Sequence, residues 1–482
     1  MGRDRVLLLL VAFSTATSFP LAELPERIRA ILAASNASWG ILIHSSARGQ
    51  LFSLSANQSF VPASNTKLLM ASAAISLLGT EFTFATRAFV GQGGNSTGVC
   101  LQPSGDPSFS DEALTSLMKA TAALIPRSQR KAATLELALP NTGSIPSSWE
   151  FDDLNYAYGA APQPSILNGN AIDLDVSPGP VAGKPLLVTP TDSRDMHVLV
   201  TVADGSFTLP NVSLLEEPPE LKYNLDEVSG RLELQLRGSM RIGDSPVRFT
   251  RAVQPPARLM QVHLHAAAHA AGLGTADDSV TIASGPGCCS RGNCALRFTE
   301  AAANLSKPLL ELLNHTLQHS DNTYAEAILR ALNQTQPSLD SGLTACRSAL
   351  QSIGVDLTGV QHVDGSGLSR HNLIPPDTFV SLLRAMAGSP LRHTLPVAGR
   401  SGTLRHRFVG TAAEGRVLAK TGTLGGVSAL SGYLLHPDPA MGEVTFSLMA
   451  NNFLGSGATL RPALDAIIVA VTNAVAGKSI AR

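Results

Sequence analysis

The chain has 482 residues, of which 44% are hydrophobic and only 15% charged, with a formal net charge of −1. That length and apolar content suit two or three buried cores and exclude wholesale disorder. The balanced charge gives no grip on nucleic acid or an anionic membrane surface, and the scattered histidines form no His-Glu-x-x-His zinc pattern.

Arg3 and Arg5 precede the apolar run Val6 to Phe13, and Ala16-Thr17-Ser18 offers a cleavage site. Residues 1–18 therefore read as a secretory signal, too short for the roughly 20 apolar residues of a membrane span. Leu24 to Ala34 is apolar at helical spacing. Trp39 to His44 and Gln50 to Leu54 read as two strands around a turn. From Ser64 to Leu78 the chain is small and apolar, and it stops at Gly79, as a buried helix would.

The texture then changes. Short strand-like runs such as Phe84 to Val90, Leu186 to Thr189 and Leu232 to Arg237 alternate with Gly, Pro and Ser turns. This predicts a mostly β insertion over 85–256. Helical periodicity returns at Pro256 to Leu273 and Lys307 to Leu332. Arg416 to Thr421, Ser428 to His436 and Glu443 to Asn451 predict an antiparallel meander, closed by a helix from Ala458 to Ala476. Asp465 and Asn473 interrupt that last apolar run, so a packed core helix is expected there and no transmembrane segment. The expected organisation is one α+β domain, 19–84 and 257–482, split by the insertion.

Seven Asn-x-Ser/Thr sequons stand at Asn36, Asn57, Asn95, Asn211, Asn304, Asn314 and Asn333. With the signal they favour a glycoprotein that is secreted or held in the lumen of the secretory pathway or a vacuole, with a bacterial periplasm or a plastid as alternatives. Of the five cysteines, Cys288, Cys289 and Cys294 cluster closely enough to close a disulfide loop. The odd number leaves a thiol over. His263, His265 and His269 have suggestive spacing, but a core or surface role is expected of them rather than metal ligation.

Ser64-Asn65-Thr66-Lys67 is a Ser-x-x-Lys tetrad opening the buried helix. Positions three apart share a helix face, so Lys67 can reach the Ser64 hydroxyl. A serine hydroxyl is a poor nucleophile without a base beside it, and a lysine serves as base only where its pKa is lowered. Two rival tetrads, Ser116 to Lys119 and Ser128 to Lys131, lack a buried helix behind them. Two further triplets support Ser64. Ser320-Asp321-Asn322 lies in the helical stretch from Lys307, and Lys420-Thr421-Gly422 lies on a strand whose alternation puts Lys420 and Gly422 on one face. Gly422 is expected to leave room for a substrate against the backbone. Ser55-Ala56-Asn57 is a decoy of the middle motif, in a turn.

Ser-x-x-Lys, Ser-x-Asn and Lys-Thr-Gly in this order resemble the signature of serine β-lactamases and penicillin-binding proteins. The long stretch between Ser64 and Ser320 is similar to that of the class C low-molecular-mass penicillin-binding proteins, the D-alanyl-D-alanine carboxypeptidase/endopeptidase family of penicillin-binding protein 4 type. Asp364 to Arg370, Gly399 to Leu404, Gly105-Asp106-Pro107 and Trp149 to Leu154 with Tyr158-Gly159-Ala160 extend the likeness.

The resemblance implies a penicillin-recognising serine hydrolase fold, an antiparallel sheet flanked by helices plus a helical subdomain, and no cofactor. It implies peptidoglycan stem peptides as partners and β-lactams as covalent inhibitors. It implies that Ser64 becomes acylated, Lys67 takes its proton, Ser320 relays a proton to the leaving amine, and Asn322 positions Lys67. Lys420 and Thr423, next to Thr421 and Gly422, would hold the terminal carboxylate. The backbone N–H groups of Ser64 and Thr423 would form the oxyanion hole. Asp153, or the adjacent Asp152, would meet a free amino group on the stem peptide, with a plain structural turn carboxylate as the equal alternative. Asp364 to Gly367 is expected as a structural loop near the site. An esterase or β-lactamase-like hydrolase, and a catalytically silent wall-binding protein, remain the alternative readings.

Overall fold

The computed structural model describes residues 19–476, apart from 94–95, 140–144, 192–198, 203–207, 210–219, 227–230, 275–279, 285–295 and 437–438. The expected signal over 1–18, the cysteine cluster, and sequons Asn95 and Asn211 fall outside the described residues. The chain divides into two compact units. The first holds Met1–Phe82, Pro146–Trp149 and Pro308–Arg482, and the second holds Thr83–Ile145 and Glu150–Lys307.

The first unit opens with helix α1 (Leu24–Leu32), which carries Pro25 in its first turn, where the missing N–H costs no intrahelical bond. Leu24, Ile28 and Ile31 recur at helical spacing and are buried. Strands β1 (Ser38–Ser45) and β2 (Gly49–Leu54) follow, and then helix α2 (Lys67–Leu78). Gly79 ends α2 with φ 74, a left-handed conformation that glycine adopts freely.

The second unit has its own core. Its strands are β3 (Ala85–Gly93), β4 (Ser96–Gln102), β5 (Thr134–Leu139), β6 (Ala171–Ser177), β7 (Leu187–Pro190), β8 (Leu199–Val202), β9 (Thr208–Leu209), β10 (Glu220–Asp226), β11 (Arg231–Arg237), β12 (Met240–Arg241), β13 (Val247–Ala252), β14 (Val280–Ser284) and β15 (Arg297–Leu305). They form a five-stranded sheet in the order β14-β5-β4-β3-β15, and smaller sheets β13-β6-β7, β10-β11-β8 and β12-β9. Helices α3 (Asp111–Ala123) and α4 (Pro256–Ala270) share the core of the larger sheet through Leu114, Leu117, Met118, Met260 and Leu264. His263, of the histidine trio, is buried there with Nδ1 2.6 Å from Asp111 Oδ1. This unit runs on past residue 256. The first strand after α2, β3, takes β15 as its antiparallel partner, so the sheet is complete only near Leu305.

The chain returns to the first unit with helices α5 (Leu309–His319), α6 (Asn322–Ala331), α7 (Leu339–Ser352), α8 (Pro376–Ala385) and α9 (Leu391–Thr394). Strands β16 (Val417–Leu424), β17 (Val427–Leu434) and β18 (Val444–Asn451) and helix α10 (Arg461–Ala476) complete it. The sheet order is β16-β17-β18-β1-β2, antiparallel throughout. Every residue of β17 and β18 is buried, as expected of strands covered on both faces. On one face α1 and α10 pack with Ile41, Ile43, Leu430, Phe446 and Leu448. On the other, α8 lies against β1 and β18, and the Tyr433 hydroxyl donates to the Leu383 carbonyl at 2.7 Å. The stretch Gly457–Ala476 is long and apolar enough to cross a membrane. Its Leu464, Ile467, Ile468 and Val471 are instead fully buried in the core. Cys346 on α7 is a buried free thiol, its pKa pushed up to about 12 by burial.

Candidate active site

The segment before Ser64 is tied to the sheet by Asn451, whose Oδ1 accepts the Val61 N–H at 2.8 Å and whose Nδ2 donates to the Val61 carbonyl at 3.1 Å. Asn65 Nδ2 donates to Ser431 Oγ at 2.7 Å. Ser64 sits between these ties on a short 3₁₀ turn, Ala63–Thr66, with Ala63 at φ 47. A left-handed alanine costs roughly 1–2 kcal/mol, which the two ties offset. Behind the turn, Leu68, Leu69, Met70, Ala71, Ala73 and Ala74 are fully buried, so α2 has no polar face to slide on.

Lys67 is the exception in that apolar helix, and it is wholly buried. Its Nζ lies 2.9 Å from Ser64 Oγ, 2.6 Å from Asn322 Oδ1 and 2.6 Å from the Ser366 carbonyl oxygen. Burial lowers its pKa to about 8, against the opposing charges of Asp364, Asp321 and Glu326. A neutral amine has two N–H groups and one lone pair. The amide oxygen and the carbonyl can only accept, so they take the two N–H groups. The lone pair is left facing the Ser64 hydroxyl.

The Ser366 carbonyl belongs to the loop Asp364–Gly367, expected only as structure near the site. Glu326, buried on α6, receives the Gly365 and Ser366 N–H groups on Oε1 at 2.8 and 2.9 Å, while Arg330 donates to Oε2 at 2.8 Å. Asp364 accepts from the Gly367 and Ser369 N–H groups, from Asn372 Nδ2 and from the Trp149 indole N–H at 3.0 Å. Gly367 has φ 78, and a Cβ there would stand 1.9 Å from the Ala63 carbonyl. The loop thus lies directly on the nucleophile turn. Sequence reasoning gave Ser366 and Glu326 no role at the lysine, because a backbone acceptor and its clamp have no side-chain signature.

Ser320 was expected within a helix. It lies in a break between two helices, as the C-cap of α5 with φ 60 and ψ 35, while Asp321 caps α6 by accepting the Tyr324 N–H. The break turns the Ser320 hydroxyl to Lys420 Nζ, 2.9 Å away, and lets Asn322 open α6 toward Lys67. Lys420 is also fully buried and donates to the Thr421 carbonyl at 2.8 Å. Burial, then the charge of Lys67, holds its pKa well below the usual lysine value.

Ser64, Ser320, Thr403, Arg407, Thr421, Thr423 and Arg461 line one cavity of about 370 Å³. Thr421 Oγ1 donates to Thr403 Oγ1 at 2.9 Å. Gly422 is not among the residues that line this cavity. A Cβ there would be 2.5 Å from the Pro62 carbonyl and 3.2 Å from Ala63 Cβ, so the glycine makes room for the nucleophile turn rather than for a ligand. Gly422→Ala is expected to cost about 1–3 kcal/mol and to slow acylation, read from the urea midpoint and the rate of covalent β-lactam labelling.

Asp153 lies in the second unit on the 3₁₀ turn Phe151–Asn155 and accepts the Tyr158 hydroxyl at 2.9 Å, while Asp152 is exposed. Asn36, Asn57 and Asn314 are exposed, and Asn304 and Asn333 are partly so.

Residues 23–474 match the D-Ala-D-Ala carboxypeptidase 3 (S13) family. A D-alanyl-D-alanine carboxypeptidase of an Actinomadura species is 32% identical over 92% of this chain and 84% of its own length. A penicillin-sensitive carboxypeptidase A of Dictyostelium discoideum is 28% identical over 90% and 87%. The crystal structure of penicillin-binding protein 4 from Haemophilus influenzae aligns with a TM-score of 0.76 at 21% identity, covering 92% of this chain and 97% of that one, a likeness of fold.

Proposed function

The chain belongs to the D-Ala-D-Ala carboxypeptidase 3 (S13) family, and from that premise we propose that it removes the terminal D-alanine from D-Ala-D-Ala peptides through an acyl-serine intermediate and is acylated by β-lactams. The observation that carries this reading is Lys67 Nζ held between Ser64 Oγ, Asn322 Oδ1 and the Ser366 carbonyl.

Ser64 Oγ attacks the carbonyl carbon of the penultimate D-alanine, and its proton passes to the lone pair of Lys67. The carbonyl π electrons move to oxygen, where the backbone N–H groups of Ser64 and Thr423 receive the oxyanion, at about 3 kcal/mol for each donor. The C–N bond then breaks, and the leaving amine takes a proton through the Ser320 hydroxyl, which Lys420 orients from 2.9 Å. The products are free D-alanine and an ester on Ser64. Water, deprotonated by the same lysine, cleaves that ester and restores the serine. Thr421 and Thr423 face the substrate carboxylate from β16, and Asn322 keeps Lys67 in place.

Lys67 must be neutral to act, so acylation rises about tenfold per pH unit on the acid side and levels off above about pH 8. A stopped-flow pH series with a penicillin measures this, and a flat profile from pH 6 to 9 would contradict the role of Lys67.

The direct test of function is D-alanine release from an N-acylated peptide ending in D-Ala-D-Ala, alongside labelling by fluorescent penicillin. A label without D-alanine release would favour the esterase reading; no label would remove the acyl-serine mechanism. The signal at 1–18 and the sequons support secretion or a lumenal setting, with peptidoglycan stem peptides as the natural substrates.

A further inference from the structure

The cavity beside Ser64 is lined by two guanidinium groups in different electrostatic situations. Arg407 is locked to Asp465 by hydrogen bonds from Nε and Nη2, a fork on a carboxylate that neutralises its charge. Arg461 is the first residue of α10, one helical turn before Asp465, and is exposed. Its Nη2 stands 3.5 Å from Thr423 Oγ1, too long for a strong hydrogen bond, and its charge also acts on Asp465 without a direct bond to it among the described residues. Lys420, a third cation nearby, is buried with its amine directed at Ser320 and the Thr421 carbonyl. Its depressed pKa makes it a poor fixed charge.

The position of Arg461 is built in. Gly457 is buried, and a Cβ there would stand 2.3 Å from the Val427 carbonyl, 2.5 Å from Thr423 Cγ2 and 2.6 Å from the Leu424 carbonyl. The turn Gly457–Leu460 is therefore pressed onto the β16–β17 hairpin, and it delivers Arg461 beside Thr423.

We infer that Arg461, together with the Thr423 hydroxyl, binds the carboxylate on the carbon that bears the leaving amine, and so sets the preference for a free C-terminal acid. The inference rests on the function proposed above. A guanidinium stays charged at every working pH and presents paired N–H groups to a carboxylate. The 3.5 Å spacing lets one carboxylate oxygen receive both Arg461 and Thr423. Arg407, spent on Asp465, holds the neighbouring wall and adds no net charge.

The test compares wild type, Arg461→Gln and Arg461→Lys on two matched pairs: a D-Ala-D-Ala peptide and its C-terminal amide, and benzylpenicillin and its methyl ester. Arg461→Gln is expected to lower kcat/KM for the free-acid peptide and the acylation rate by benzylpenicillin by about 30-fold, from the loss of one charged hydrogen-bond pair. The amide and the ester should change by less than about twofold, and Arg461→Lys should fall between. An unchanged melting temperature is expected, because the side chain is exposed. The inference is overturned if Arg461→Gln keeps the wild-type preference for the free acids, or if it slows acid and capped forms alike. If wild type releases no D-alanine from either peptide, the proposed function has failed, and the penicillin pair alone decides the role of Arg461.

Discussion

Ser64→Ala is expected to abolish covalent penicillin labelling and to lower D-alanine release by about ten-thousandfold or more, with little change in melting temperature. The size follows from the site. Lys67, Asn322 and the Ser366 carbonyl remain arranged, but the lone pair of the lysine then faces a methyl group. What persists is binding and the proposed oxyanion donors, which act on water poorly positioned for attack. The small stability change follows because Lys67 keeps two of its three partners. Mass spectrometry of the labelled protein checks the result. A label retained on Ser64→Ala would move the nucleophile elsewhere, and the two rival tetrads are poor hosts. Ser116 and Lys119 on α3 are exposed, as are Ser128 and Lys131, so nothing there desolvates a lysine.

Glu326→Leu is expected to lower the unfolding free energy by about 3–5 kcal/mol and kcat/KM by about a hundredfold. The leucine leaves Arg330 buried without its carboxylate and the Gly365 and Ser366 N–H groups without an acceptor. The loop then shifts, and Lys67 loses the carbonyl that fixes one of its N–H groups. A loss of activity alone would not separate positioning from misfolding, so Glu326→Gln is the discriminating variant. Its amide oxygen can still accept from Gly365 and Ser366, its NH2 then replaces the acceptor that Arg330 used, and the negative charge is gone. That charge helps hold the pKa of Lys67 up at about 8. Removing it favours the neutral amine, so the midpoint of the acylation profile should move below pH 8. A midpoint that stays in place, or moves upward, would show that Glu326 does not act on Lys67.

Much of the arrangement was legible before folding is considered. The apolar run after Ser64 has no polar face and no Gly or Pro inside it, and that marks a buried helix whatever surrounds it. In the meander of β16, β17 and β18 a two-residue turn joins the first pair and nine residues join the second, so each strand pairs antiparallel with its neighbour in the chain. The helix break at Ser320 was not legible. The run from Lys307 to Leu332 keeps helical periodicity, and the one left-handed residue at Ser320 interrupts it without a glycine or proline to announce it. The end of the second unit was hidden for a different reason. β3 pairs on one side with its chain neighbour β4 and on the other with β15, far along the chain, and no local pattern encodes that distant pairing.

By itself the sequence singled out the side chains of the proposed chemistry, Ser64, Lys67, Ser320, Asn322 and Lys420, through three short motifs in a fixed order. Only the tertiary structure decided their state. It buried Lys67 and Lys420, and so took away the water that keeps a lysine charged. It brought the Ser366 carbonyl to Lys67, turned Gly422 toward Pro62 and placed Arg461 beside Thr423. Desolvation, backbone acceptors and close backbone approach are properties of neighbours in space, and chain spacing carries no record of them.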